Sequence, residues 1–589
     1  MAYSVSVITR IGRSIIRPAV AALGAVALAV SLGACGATNG GSTATLKTEA
    51  ASGTPSSYKG ALPMPSASKA YNNTQPRDNI KQGGTLTLPI SSIGPNFNLN
   101  TTAGFTAYTG YLWQMYLPRL WDFSIDGGKV TPNPDYLTSV KLTSTNPETV
   151  VYDINPKANW NDGTPIDWTA FETVWKTMNG KNAAYSASTT TGYSNIASVK
   201  RGKDDKQAVV TFSKPFYPYE SLFGYLMHPK NQDPTVFAQG WANNPHNEWG
   251  AGPFVVSSFD ESQIVFTPNP KWWGNKPKLD KVTFKAMEVQ AASNAFQNGE
   301  IDASGASTAD TIKSARNMKN VSLRIGYGNS LYYIVLNVKS APLDDLSVRK
   351  AISQAVDRKQ LSTIKFQGTD WNQPVTTSNV ILPFQKGYEN NFPSEGNYNP
   401  ASAKKTLESA GYKLGSDGYY EKGGKELEVK WTMFSDDSTT TAIAKAFQSM
   451  LKKSGIKADL DVQSGANFSK VLADASWQAM ALGGENTDPF GYSTAGSGSY
   501  GSDAANEWGG TPEQQKVLDQ VSAEPDADKA RDLFNKLEKS AMKRYTRLPM
   551  WNGPTSFAVK DGLANFGPAG FEASGSGMLL HVEDVGWQK

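Results

Sequence analysis

The sequence predicts an α/β fold of multi-domain size, on three observations. Strand-like and helix-like segments alternate from about residue 83 onward. The stretch 428–462 reads strand, helix, strand, the order of a parallel crossover unit. At 589 residues the chain is long enough for about three or four domains of roughly 100–200 residues each. No internal repeat of roughly 20–50 residues is present, which argues against a solenoid or propeller. Apolar residues at 39% and charged residues at 19% suit a globular chain. One cysteine excludes an internal disulfide or a four-thiolate zinc site. Three histidines leave little for imidazole-based metal or triad chemistry, and a net charge of +4 is too slight to suggest nucleic acid.

The first 34 residues read as a leader. Arg10, Arg13 and Arg17 form a basic region, and 19–32 is apolar and uncharged but short for a membrane span. The leader ends in Leu32-Gly33-Ala34-Cys35, small residues before the only cysteine. This is the bacterial lipobox pattern, so residues 1–34 are expected to be a lipoprotein signal peptide and Cys35 the lipidation site. Two acyl chains anchor stably where one is marginal. Removing the leader lowers the net charge to +1, with 54 basic against 53 acidic residues. From Cys35 to about residue 80 the chain is rich in Gly, Ser, Thr, Ala and Pro without apolar periodicity, and a flexible tether is expected.

In the body, Thr85–Leu88, Val150–Ile154, Ala208–Phe212 and Tyr332–Val338 read as strands. Asp167 is placed to cap a helix whose Phe171, Val174, Trp175 and Met178 recur at helical spacing. Asp345 precedes another, with Val348, Ile352, Ala355, Val356 and Leu361 on one face. Asn399-Pro400 opens a third, closed near Gly411. Glu428–Met433, Ala442–Lys453 and Ile456–Val462 complete the crossover unit.

Catalytic signatures are missing. There is no Gly-x-Ser-x-Gly elbow, and no Gly-Lys pair is followed by Ser or Thr. His228, His246 and His581 lie far apart, so no metal site is expected. Asp344-Asp345, Asp436-Asp437 and Asp122/Asp126 read as caps and solvated turns.

Several segments in order resemble the family 5 extracellular solute-binding proteins of bacterial ABC importers. They are Gly83-Gly84-Thr85-Leu86, then Trp160-Asn161-Asp162-Gly163-Thr164-Pro165 leading into a helix. Gly250-Ala251-Gly252-Pro253-Phe254 follows, with Asn269-Pro270-Lys271-Trp272-Trp273-Gly274 and Phe296 to Asp302. Leu336-Asn337 through Ala355-Val356-Asp357-Arg358 and Tyr398-Asn399-Pro400 through Tyr412 complete the series. The resemblance implies a three-lobed, periplasmic-binding-protein-like α/β fold. Lobe I would comprise 81–115, 215–328 and 540–589, the inserted lobe II 116–214, and lobe III 329–539. Ligand would lie between lobes I and III, which close by hinge motion. Most of the shared residues are expected to build the scaffold, with Trp272 and Trp273 plugging a core or lobe junction.

The resemblance also implies a ligand loop, Ala481–Phe490. In peptide-binding members its first acidic residue receives the peptide ammonium, a role that falls on Glu485, with Asn486 and Asp488 beside it. Leu482 stands where peptide binders commonly carry Trp. Tyr492 and Trp508 nearby, and Tyr108 from an early aromatic group with Tyr111 and Trp113, are the expected aromatic contacts. The implied protein is no enzyme, needs no cofactor, and is a monomer held outside the cytoplasm by lipid on Cys35. It would pass an oligopeptide to an ABC permease. An oligosaccharide or other solute is the alternative ligand, and a surface-tethered glycosidase or peptidase the alternative class.

Overall fold

The first strand of the body, β1 (Thr85–Ile90), buries Leu86, Leu88 and Ile90 on one face, the period-two pattern of a half-buried strand. In this computed structural model the described residues are 53–55, 62–367, 369, 371, 373–464, 467–502 and 508–589. The expected signal peptide, Cys35 and the tether up to residue 52 lie outside them. Helix α1 (Ala107–Tyr116) follows, capped by Thr106, which accepts from the Thr109 N–H. Next come a hairpin, β2 (Trp121–Phe123) and β3 (Val130–Pro132), and then β4 (Leu137–Thr145) and β5 (Glu148–Ile154). Asp167 caps α2 (Trp168–Met178), whose Phe171, Val174 and Met178 are buried while Trp175 is half-buried. With β6 (Ile196–Arg201) and β7 (Gln207–Phe212), β4 and β5 form an antiparallel sheet in the order β4–β5–β7–β6. The meander β8 (Phe254–Phe259), β9 (Gln263–Pro268) and β10 (Lys281–Ala286) returns so that β10 lies parallel to β1.

One aromatic core joins these elements, including Trp113, Tyr116, Tyr152, Phe171, Phe223 and Trp241. Trp272 and Trp273 pack on Tyr136 with ring centroids 5.9 and 5.6 Å away.

The chain then runs through β11 (Ala303–Gly305) and β12 (Val321–Tyr327) into β13 (Ser330–Leu336). Helices α3 (Leu346–Ala355), α4 (Arg358–Lys365) and α5 (Pro400–Ser409) follow. The crossover unit is β14 (Glu428–Met433), α6 (Ser438–Lys453) and β15 (Lys457–Val462), and β14 and β15 are parallel. Then come β16 (Ala479–Glu485), α7 (Pro512–Ala523), α8 (Ala527–Ala541), β17 (Arg547–Trp551) and β18 (Pro554–Lys560). The five-stranded sheet of this region has the order β15–β14–β16–β13–β17. Its own core includes Ile334, Leu336, Trp431 and Phe447, the last two with ring centroids 4.2 Å apart.

Two crossings connect this sheet to the one containing β12, β18 and β11. The chain leaves between β12 and β13 and returns between β17 and β18. Asn552 joins the crossings, donating to Gly328 O at 2.7 Å and Ser330 O at 2.8 Å.

Three sequence expectations differ from the structure. Residues 62–80, placed in the tether, are folded: Leu62 and Ile80 are fully buried, and Asn73 Nδ2 donates to Leu563 O at 2.9 Å. Polar side chains bonded to the C-terminal segment order this stretch, a signal that apolar periodicity cannot carry. The apolar face read across Val348–Leu361 belongs to two helices, because Asp357 accepts from the Gln360 N–H and starts α4. Asp122 is no solvated turn residue: its carboxylate pairs with Arg119 at 2.9 Å and His581 at 3.3 Å. Asp345 and Asp437 do cap helices, as expected.

Candidate ligand cleft

The segment expected to be a loop starts as a strand. β16 pairs antiparallel with β13 through Glu485, which lies opposite Ser330. Gly483 lies opposite Tyr332, and a Cβ there would come within 2.6 Å of the Tyr332 ring, so glycine lets the aromatic side chain cross the strand. β16 thereby delivers Glu485 at its end, beside the crossing between the two sheets.

Glu485 Oε1 accepts from Asn329 Nδ2 at 3.3 Å. Asn329 also donates to Asn486 O at 2.8 Å and receives the Asn486 N–H at its own carbonyl, 2.9 Å. Solvent reaches Glu485, yet burial pushes its carboxyl above the usual range, with the Asn329 hydrogen bond opposing. Glu485 is thus open to solvent yet close enough to surrounding protein for burial to disfavour its charge. Tyr332 shows the same combination: it is 38% exposed, but burial and then the Glu485 charge raise its hydroxyl pKa.

Helix α1 brings two further tyrosines into this region. Tyr108 and Tyr111 are half-buried and meet edge to face with centroids 6.2 Å apart. Burial raises the Tyr111 pKa, and Glu485, Tyr108 and Tyr332 add to the shift. Tyr111 and Tyr332 therefore both lie within the electrostatic reach of Glu485, although the three come from distant parts of the chain. Asn329 and Tyr332 had no signal in the sequence reading; strand pairing across more than 150 residues brings them to Glu485.

The other expected residues divide. Asn486 spends its side-chain nitrogen on Val380 O at 2.9 Å, which fixes the turn after β16. Asp488 accepts from the Phe490 N–H at 2.7 Å, and burial raises its carboxyl to about 6. Pro489 packs on the β2–β3 turn, where a Cβ on Gly127 would come within 2.5 Å of the Pro489 side chain. Leu482 and Trp508 are half-buried around Val335, Trp477 and Met480. Trp508 stacks on Trp477 at 5.0 Å, and Arg547 lies over both Trp508 and Tyr333, at 5.2 and 5.0 Å. Tyr492 is only 5% exposed, packed with Leu518 and Phe534 under the Arg531 guanidinium. Its ring belongs to this interior cluster rather than to the surroundings of Glu485.

The family model for bacterial extracellular solute-binding proteins, family 5, matches residues 131–506. The chain belongs to this family. The oligopeptide-binding protein OppA of Mycobacterium tuberculosis is 33% identical over 507 residues, 85% of each chain. The probable monoacyl phosphatidylinositol tetramannoside-binding protein LpqW of the same species is 25% identical over 441 residues, 71% of this chain and 66% of LpqW. Among solved structures, the periplasmic EDTA-binding protein EppA superimposes with a TM-score of 0.79 at 24% identity, covering 88% of this chain and 98% of EppA. The oligopeptide-binding protein AppA of Bacillus subtilis, in complex with a nonapeptide, gives 0.71 at 18% identity, covering 87% of this chain and all of AppA. The fold is the lobed α/β architecture of the family, whose members are extracytoplasmic solute-binding proteins rather than enzymes.

Proposed function

We propose that the protein captures oligopeptides at Glu485 and delivers them to an ABC permease, held at the membrane by lipid on Cys35. The observation that carries the reading is the state of Glu485. It is reached by water, desolvated by its surroundings, held by one amide among the described residues, and within electrostatic reach of Tyr111 and Tyr332. A carboxylate in that state gains from a cationic partner, and a charged hydrogen bond to a peptide ammonium supplies one. The remaining peptide would lie extended, with its backbone bonded directly or through water. Lobes I and III would close about the crossings at Gly328 and Gly553, with β17 (Arg547–Trp551) moved from the expected lobe I segment 540–589 to lobe III, because it pairs with β13. Lobe II (116–214) would serve as support. The 33% identity to an oligopeptide-binding relative supports the same ligand class.

Calorimetry with di- to pentapeptides tests this reading. Stoichiometric binding is expected, and tight binding of another solute with none of any peptide would reject it. A carbohydrate-bearing ligand is the second reading, supported by the mannoside-binding name of the 25% identical relative. Glu485→Ala separates the two, because a sugar site need not depend on one charge. Cys35→Ala should move the protein from the membrane to the soluble fraction; unchanged fractionation would reject the anchor.

A further inference from the structure

A small cavity of about 20 Å³ lies beside the β2–β3 hairpin, lined among others by Gln114, Arg119, Asp135, His581 and Glu583. None of these belongs to the set around Glu485. The sequence holds them far apart: Asp135 follows β3, whereas His581 and Glu583 are in the C-terminal segment. In the fold, one ligand-type atom from each of Asp135, His581 and Glu583 lies within 4.8 Å of the other two.

Two acceptors in this cavity have no donor among the described residues. The Asp135 carboxylate accepts no hydrogen bond from any described residue. Gln114, only 5% exposed, gives its amide nitrogen to Leu579 O at 2.8 Å, and its amide oxygen accepts nothing among the described residues. Glu583 is 4% exposed, and among the described residues its carboxylate accepts from His581 Nδ1 at 3.0 Å. Arg119, the nearby fixed cation, is spent on Trp121 O and Asp122. The positive group now among these oxygens is His581, whose pKa its hydrogen bonds to Asp122 and Glu583 raise to about 10.

The imidazole is held as metal-ligating histidines are held. Its Nε2 faces Asp122 Oδ2 at 3.3 Å, and Arg119 fixes Asp122 at 2.9 Å. A carboxylate behind one ring nitrogen sets the orientation and leaves the other free to ligate. Here the other nitrogen, Nδ1, points to Glu583, and the imidazole proton occupies the gap a cation would take.

We propose that this cavity binds a first-row divalent cation through His581 Nδ1, Asp135 and Glu583, with the Gln114 oxygen or water completing the shell. One nitrogen among several oxygens suits zinc, manganese or nickel better than calcium, which takes oxygen ligands alone. Bonds of about 2.0–2.2 Å require the ligands to draw closer than they now stand, and no hydrogen bond from a described residue holds the Asp135 carboxylate in place. The cation would tie residues 581–583 to the base of the hairpin whose Gly127 turn carries Pro489.

The test is zinc titration of chelator-stripped, untagged protein, read by calorimetry and by X-ray absorption of the bound zinc. One equivalent should bind, with one imidazole and oxygen ligands in its shell. Asp135→Asn, which forfeits no hydrogen bond from a described residue, should weaken zinc about 10–100-fold and leave peptide binding unchanged. His581→Gln should do the same to zinc, and a far-ultraviolet circular dichroism spectrum would show that this variant is folded. No stoichiometric zinc, or zinc indifferent to Asp135→Asn, overturns the proposal. So does zinc lost with Glu485→Gln but kept with Asp135→Asn, because the metal would then sit in the cleft.

Discussion

Two carboxylates are treated in opposite ways. Glu538, on α8, is fully buried and saturated: Asn379 N–H and Tyr500 O–H donate to one oxygen at 2.9 and 2.8 Å, and Asn391 Nδ2 to the other at 2.6 Å. Glu485 is open to water and, among the described residues, has one amide partner at 3.3 Å. Burial raises the pKa of both. The difference lies in the donors: the fold supplies them to Glu538 and withholds them from Glu485. A carboxylate enclosed by its own protein builds structure, and one left short of partners within reach of solvent is available to a ligand.

The comparison can be broken at several points. The largest effect is expected from Glu538→Ala, which strands three buried donors and should cost about 3 kcal/mol or more in urea unfolding. A loss below about 1 kcal/mol would mean that the network is not structural. Glu485→Ala should reverse the pattern, weakening peptide binding by about 2–5 kcal/mol while changing unfolding by no more than about 0.5 kcal/mol. Gly483→Ala sharpens the local account: the new methyl meets the Tyr332 ring, and overpacking of this kind costs about 1–3 kcal/mol. Unfolding and peptide affinity should fall together, since the same strand carries Glu485.

The smallest effect is a pH dependence at Asp488. Its folded pKa, about 6, lies above the ordinary value of 3.8 because of burial. The folded state therefore holds the proton more tightly. The stability from this group is present below about pH 4 and is lost as pH rises through about 6. Asp488→Asn should flatten that part of the stability profile; an unchanged slope would assign it to other groups.

Local chemistry was legible in the sequence. Asp167, Asp345 and Asn399 cap the helices they precede, and the parallel crossover unit has the predicted order. These features depend on neighbours a few residues away. What the sequence hid depends on distant partners. Asn329 and Tyr332 reach Glu485 only because β13 and β16 pair, and Tyr492 is an interior residue because α7 and α8 fold over it. Residues 62–80 resembled a tether because the asparagines that bind them to the C-terminal segment carry no periodic signal. Histidines dispersed in sequence also concealed the cavity in which His581 meets Asp135.

The role proposed for the Glu485 carboxylate is to take the amino end of a peptide. The direct measurement is calorimetry of wild type and Glu485→Ala with the tightest di- to pentapeptide and with its N-acetylated twin. Acetylation should weaken wild-type binding by about as much as Glu485→Ala does, and the two losses should not add. Equal affinity for the free and acetylated peptides, or losses that add in full, would contradict this role.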